Sequence, residues 1–177
     1  MPNIITLYHG TTSSFNTVDI SRGKPYKDFG AGFYTSKIKD HADKMALRNR
    51  EIEQIRRKNA HIEAFVYSFE LDLEQLNYLN IKEFTAADRE WMRFIVKNRS
   101  AKESQHNYDL VFGPTANDNT LTAIGLFFAG AYGDVTSNIA IDRLIEQIEP
   151  DKLPHQYFFG SRKAAELLVL ITRETLI

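Results

Sequence analysis

The sequence predicts an α+β fold in which short strands are scattered among helices. Three observations carry that expectation. Apolar runs rich in β-branched and aromatic residues, such as Ile4-Ile5-Thr6-Leu7-Tyr8 and Ala64-Phe65-Val66-Tyr67-Ser68-Phe69-Glu70-Leu71, have the length and character of strands. Between them lie stretches whose apolar residues recur at three, four or seven, the spacing of a helix face. No repeat, linker or low-complexity segment interrupts the chain, and its 177 residues match one ordinary domain spanning 1–177, long enough to bury a core without disulfides or metals.

The first strand is expected to end at His9-Gly10-Thr11-Thr12, a turn-forming group that places His9 at the strand exit. An irregular stretch through Arg22, Gly23 and Pro25 leads to Asp28-Phe29-Gly30-Ala31-Gly32-Phe33-Tyr34-Thr35-Ser36, which reads as a tight turn feeding a strand. From about Lys37 to Lys58, Ile38, Ala42, Met45, Ile52 and Ile55 predict one buried helix face opposite a charged one. The strand at 64–71 follows, then a second helix. Thr85 with Asp88 resembles a capping pair for a helix presenting Trp91, Phe94 and Ile95, and the polar stretch from Arg99 to Asn107 reads as a loop.

Tyr108 to Phe112 predicts a strand stopped by Gly113-Pro114. A helix capped by Asp118 begins near Asn119, with Leu121, Ile124, Phe127 and Phe128 available for burial. An exposed break at 129–134 precedes a helix capped by Ser137 that presents Ile141, Leu144, Ile145 and Ile148. Gln156-Tyr157-Phe158-Phe159 reads as a strand, Ser161 to Glu166 as a helical turn and Leu167 to Ile171 as the last strand.

Composition removes several chemistries. The chain has no cysteine, which rules out disulfides, thiolate metal sites and a cysteine nucleophile. His9, His41, His61, His106 and His155 show no metal-ligand spacing, so no metal is expected. A net charge of −1 confines any nucleic-acid contact to a local patch. Arg48, Arg50, Arg56, Arg57 and Lys58 form such a patch, but the interleaved Glu51 and Glu53 favour an ordinary solvated face. Asp109, Asn117, Asp118 and Asn119 are explained by capping and turn chemistry. The N-terminus has no basic segment followed by a long apolar run, and no stretch has the length of a membrane span, so a cytoplasmic protein is expected.

Three segments carry candidate chemistry: Leu7-Tyr8-His9-Gly10-Thr11, Phe29-Gly30-Ala31-Gly32-Phe33-Tyr34 and Gln156-Tyr157-Phe158-Phe159. A glycine after a strand lets backbone N–H and C=O approach a planar amide. Tyr34 offers a flat face to a ring, and Gln156 can hold a hydroxyl without supplying charge. Arg22 is a candidate for a pyrophosphate, and Asp28 for fixing the glycine turn.

In order and character these segments resemble the NAD-binding core of the poly-ADP-ribose polymerase and diphtheria-toxin branch of ADP-ribosyltransferases. There a strand ends in His-Gly-Ser/Thr, a Phe-Gly turn leads into Gly-aromatic-Tyr, and a late strand opens with glutamate. Gln156 stands in the glutamate position. The chain is also similar, over most of its length, to the bacterial domain-of-unknown-function family 3990, through its Asp-Phe-Gly-x-Gly-Phe-Tyr run, its Tyr-Asp-x-Val-x-Gly-Pro segment and its late Gln-x-x-Phe strand.

The resemblance implies an ADP-ribosyltransferase-like fold with two small antiparallel sheets around an NAD cleft and flanking helices. It implies catalytic positions at His9, Tyr34 and Gln156, and NAD binding by His9, Gly10, Thr11, Gly32 and Tyr34, with Arg22 and Asp28 beside them. The implied activity is transfer of ADP-ribose from NAD to a protein or nucleic acid, in a toxin-like effector with a neutralising antitoxin or regulatory protein as partner. Breaking the nicotinamide–ribose bond builds positive charge on the sugar, which a carboxylate stabilises and an amide does not. The alternative is therefore a catalytically silent module that binds NAD or ADP-ribose, or a protein-interaction domain. In that last case His9 caps a strand, the glycines serve a turn and Phe33 and Tyr34 fill a core.

Overall fold

The computed structural model describes residues 3–177. Strand β1 (Ile4–Thr11) pairs antiparallel with β3 (Ala64–Asp72), and β3 pairs antiparallel with β7 (Val169–Leu176), giving a three-stranded sheet. A four-stranded sheet runs in the order β2 (Phe33–Thr35), β6 (His155–Phe159), β5 (Leu110–Pro114), β4 (Ile81–Glu83). The chain is thus α+β with two small sheets and flanking helices. The expectation that both sheets are antiparallel is corrected: β4 and β5 are parallel, because helix α2 (Arg89–Arg99) carries the chain back between them.

Each sheet is covered by a different kind of surface. Helix α1 (Lys39–Arg57) lies on β1 and β3 through Ala42 and Ala46. A Cβ placed on Gly10 of β1 would stand 1.9 Å from the Ala42 carbonyl oxygen, so helix and strand touch backbone to backbone. That close approach overturns the expected apolar face of α1. Ala42 is buried, whereas Ile38, Met45 (50% exposed), Ile52 (51%) and Ile55 (79%) face outward. Only the smallest side chains fit between α1 and β1, so the larger ones of the row cannot be the packed face.

The other face of this sheet shares a core with the second sheet, built from Leu7, Phe33, Phe69, Leu71, Tyr157 and Phe159. Beyond the second sheet, α2, α3 (Asp118–Phe128) and α4 (Asn138–Glu146) bury Trp91, Ile95, Phe127, Ile141 and Leu144 against Val111 and Phe158. Trp91 donates its indole N–H to the Pro114 carbonyl at 2.9 Å. Successive β6 residues alternate between the two cores, which places Gln156 on the Phe158 face.

Several boundaries differ from the sequence reading. β1 continues through Thr11, so His9 lies within the strand and not at its exit. A 3-10 turn, Leu73–Tyr78, follows β3 directly, and the expected second helix is α2. Asp88 alone caps α2, accepting from the Trp91 N–H at 2.9 Å, and Thr85 takes no part. Asn117 caps α3 in place of Asp118, accepting from the Thr120 N–H at 2.8 Å. Ser137 caps α4, and Phe128 points outward. Gly113 and Pro114 pair with Gln156 and His155 inside β5 and do not stop it.

Candidate active site

The two sheets join at one point. Tyr8 N–H donates to the Ser36 carbonyl at 2.8 Å, and Ser36 N–H donates to the Tyr8 carbonyl at 2.9 Å. Backbone groups two residues apart on a strand face the same edge, so Gly10 turns its N–H and C=O toward β2. The same register would set Tyr34 opposite Gly10, yet the Tyr34 carbonyl is held by His9 Nδ1 at 2.7 Å. The strands therefore part beyond Tyr8 and Ser36, and the His9 ring stands in the gap, 4.3 Å from the Phe33 ring centroid. The result is a notch in which Gly10 is buried and no backbone hydrogen bond joins it to β2.

The Tyr34 side chain forms part of the opposite wall. Its hydroxyl donates to the Gly30 carbonyl at 2.6 Å and accepts from the Phe29 N–H at 3.1 Å, and its ring centroid lies 5.0 Å from that of Phe158. Gly30 has φ +94°, a backbone conformation that glycine adopts freely. Beside this turn Asp28 is buried, at 4% exposure. One carboxylate oxygen accepts from Arg99 Nε at 2.7 Å and Nη2 at 2.6 Å. The other accepts from the Ala116 N–H at 3.0 Å, the Thr115 hydroxyl at 3.2 Å and Gln156 Nε2 at 3.1 Å.

Protonation follows from these partners. Burial pushes the His9 imidazole down to about 4, against the weaker opposing effect of the Tyr34 carbonyl. At neutral pH the ring is then uncharged, Nδ1 carries the hydrogen that it gives to Tyr34, and Nε2 remains an acceptor. Burial, followed by the Asp28 charge, holds the Tyr34 phenol well above its usual value, so it stays a donor to Gly30. Such an arrangement offers the His9 Nε2 acceptor to a ligand hydroxyl and a backbone edge without a β2 partner to an amide.

The sequence profile of a family described as a protein of unknown function, DUF3990, matches residues 5–170. The chain belongs to the DUF3990 family. No curated protein and no solved structure matches it.

In this DUF3990 chain the fold brings His9, Gly10 and Tyr34 to the notch, and sets Gln156 and Asp28 against the turn that Tyr34 closes. Thr11 uses its hydroxyl oxygen to accept from the Ser13 N–H at 3.1 Å. Gly32 packs against Phe158 and the Phe159 carbonyl, where a Cβ would clash. Arg22 is exposed in a 3-10 turn, Ile20–Arg22, followed by Gly23, whose own Cβ would meet the Gly32 backbone.

Residues that sequence reasoning missed hold this turn from outside. His106 Nε2 donates to the Phe29 carbonyl at 2.7 Å, since its Nδ1 is occupied in accepting the Tyr108 N–H at 3.1 Å. Ser104 accepts from the Ala31 N–H at 2.9 Å. Together with Arg99 they lie at or after the end of α2, about seventy residues from the turn, and no local pattern marks them. Among the described residues no group of three or more His, Cys, Asp or Glu side chains is arranged to hold a metal ion. No described helix is long and apolar enough to cross a membrane.

Proposed function

We propose that the notch binds the nicotinamide–ribose end of NAD and that the protein is an ADP-ribosyltransferase acting on a macromolecular acceptor, in the manner of a toxin-like bacterial effector. The observation that carries this reading is the parting of β1 and β2, which leaves the Gly10 N–H and C=O without a β2 partner between the His9 ring and Tyr34. A carboxamide fits that edge, because it needs one donor and one acceptor side by side. Nε2 of His9 accepts from a ribose hydroxyl, and the Tyr34 ring gives the pyridine a surface to stack on. Bound NAD supplies the glycosidic bond that is cleaved. The chain orients the sugar and holds the ring.

A second reading has its own support. Gln156 brings no charge to the sugar, and the nearby Asp28 charge is already matched by Arg99. On this reading the protein binds NAD or ADP-ribose without turning it over and signals through a partner.

Calorimetry with NAD tests the binding, and incubation with labelled NAD and cell lysate tests the transfer. Binding that is lost in Tyr34→Ala, together with transfer of label and release of nicotinamide, is the expected result. Binding without release or transfer would favour the silent module. No binding by the folded protein would end both readings.

A further inference from the structure

We infer that Asp28 is a positioning residue that fixes the Gln156 amide with its nitrogen inward, so that Gln156 meets a ligand as a hydrogen-bond acceptor and selects for a sugar hydroxyl. This rests on the proposed binding of NAD at the notch, and it adds a role for a residue that does not itself touch the ligand.

An amide side chain presents a donor end and an acceptor end, and only its surroundings decide which way it lies. Here the choice is forced. The Asp28 oxygen that meets Gln156 at 3.1 Å is an acceptor, and its other neighbours are the Ala116 N–H and the Thr115 hydroxyl, both donors to it. Placing the amide oxygen there would set two acceptors against each other in a buried space. Nε2 must therefore point at Asp28, and Oε1 must point away from it. Asp28 is buried while Gln156 is half-buried, so the end turned away from Asp28 is the end open to a ligand. Arg99 holds the second Asp28 oxygen from behind and keeps the carboxylate from swinging out.

The consequence is a site that reads hydroxyl donors. A carboxamide oxygen accepts a hydrogen bond as a carboxylate oxygen does, but it lacks the charge, and the hydrogen bond to Asp28 polarises it toward the acceptor role. A sugar whose 2′-hydroxyl is missing gives Oε1 nothing to accept.

Nuclear magnetic resonance of the ligand-free full chain gives the first test. The Gln156 side-chain amide protons, assigned by their loss in Gln156→Leu, are expected apart from the exposed glutamine signals and slow to exchange, and to move to the exposed position in Asp28→Asn. Amide signals lying among the exposed ones in the wild type would overturn the inference, and this readout needs neither NAD nor a stable Asp28 variant.

Calorimetry gives the second. Asp28→Asn and Gln156→Ala are each expected to weaken NAD binding roughly tenfold, and the double variant no more than either. NAD lacking the 2′-hydroxyl on its nicotinamide ribose should bind the wild type and Gln156→Ala alike. Additive losses would refute a role that acts through Gln156. If the wild type binds no NAD, the binding reading fails by itself, and the amide resonance still decides whether Asp28 orients Gln156.

Discussion

On the β1 side of the notch, Gly10 lies against the α1 backbone and His9 sits beside Phe15 and Phe33; on the β6 side, Asp28 gathers Arg99, Thr115, Ala116 and Gln156 around one carboxylate. The first wall is shaped by contact and the second by charge. Contact leaves no room for an added atom but responds little to salt, whereas a buried charge tolerates small shifts of shape and fails when its partner is removed. A site built from both kinds of wall has two separate ways to break.

The largest effect is expected on the charged side. Asp28→Ala leaves the mostly buried Arg99 guanidinium without its partner and should cost about 3–5 kcal/mol in urea unfolding. Adding Arg99→Met to it should recover part of that loss, and a single-variant loss below about 1 kcal/mol would mean that the pair does not hold this wall.

Next comes Gly10→Ala on the contact side. Its Cβ meets the Ala42 carbonyl, so α1 must move, and a loss of about 2–3 kcal/mol is expected at any pH or salt concentration. Full stability in this variant would show that α1 and β1 are not packed backbone to backbone.

His9 links the contact wall to acid. Its folded value is depressed from 6.5 to about 4, so the unfolded chain takes up the proton first as pH falls. The contribution is complete above about pH 6.5 and is lost as pH drops toward about 4, by about 1–2 kcal/mol for a residue that is not fully buried. Replacing the ring in His9→Gln should flatten that part of the melting-temperature profile, and an unchanged acid slope would show that another group causes it.

Gln156→Glu sharpens the contrast. A second carboxylate would lie within hydrogen-bond distance of Asp28, and two such groups resist ionising together. The new group's folded value is raised, so its penalty is absent in acid and grows as pH rises from about 4 to about 5, reaching about 1 kcal/mol. A glutamate at this position therefore does not by itself give a charged site. A melting temperature that falls equally at both ends of this range would contradict the shared-proton account.

The smallest effect is expected far from both walls. Ile55→Lys on the outer side of α1 should change stability by less than about 0.5 kcal/mol, whereas Ala46→Leu at the packed side should cost about 1–3 kcal/mol. The reverse order would restore the apolar face that periodicity suggests.

Strands β1, β3, β5 and β6 were legible because their apolar runs are local, although the turn signals expected to end β1 and β5 lie inside those strands, and Ser137 could be identified as a cap from its place before an apolar helix. The buried face of α1 was not legible. Hydrophobic spacing finds the largest side chains, and here a glycine on a strand thirty-two residues earlier selects the smallest. Of the candidate site, His9, Gly10, Tyr34 and Gln156 stand out by their local setting, as does Asp28 at the head of its turn. Arg99, Ser104, His106, Thr115 and Ala116 do not, because each acts on that turn from a distant segment.

The amino-acid sequence by itself determined the α+β class, the family, the absence of cysteine chemistry and the segments that carry the candidate site, since all of these depend on composition or on neighbours along the chain. Tertiary structure alone decided which face of α1 is packed, where β1 and β2 part, and which way the Gln156 amide lies. Those depend on the distance between backbones and on the charge of a residue far away in the chain, and neither quantity is written in any local stretch of residues.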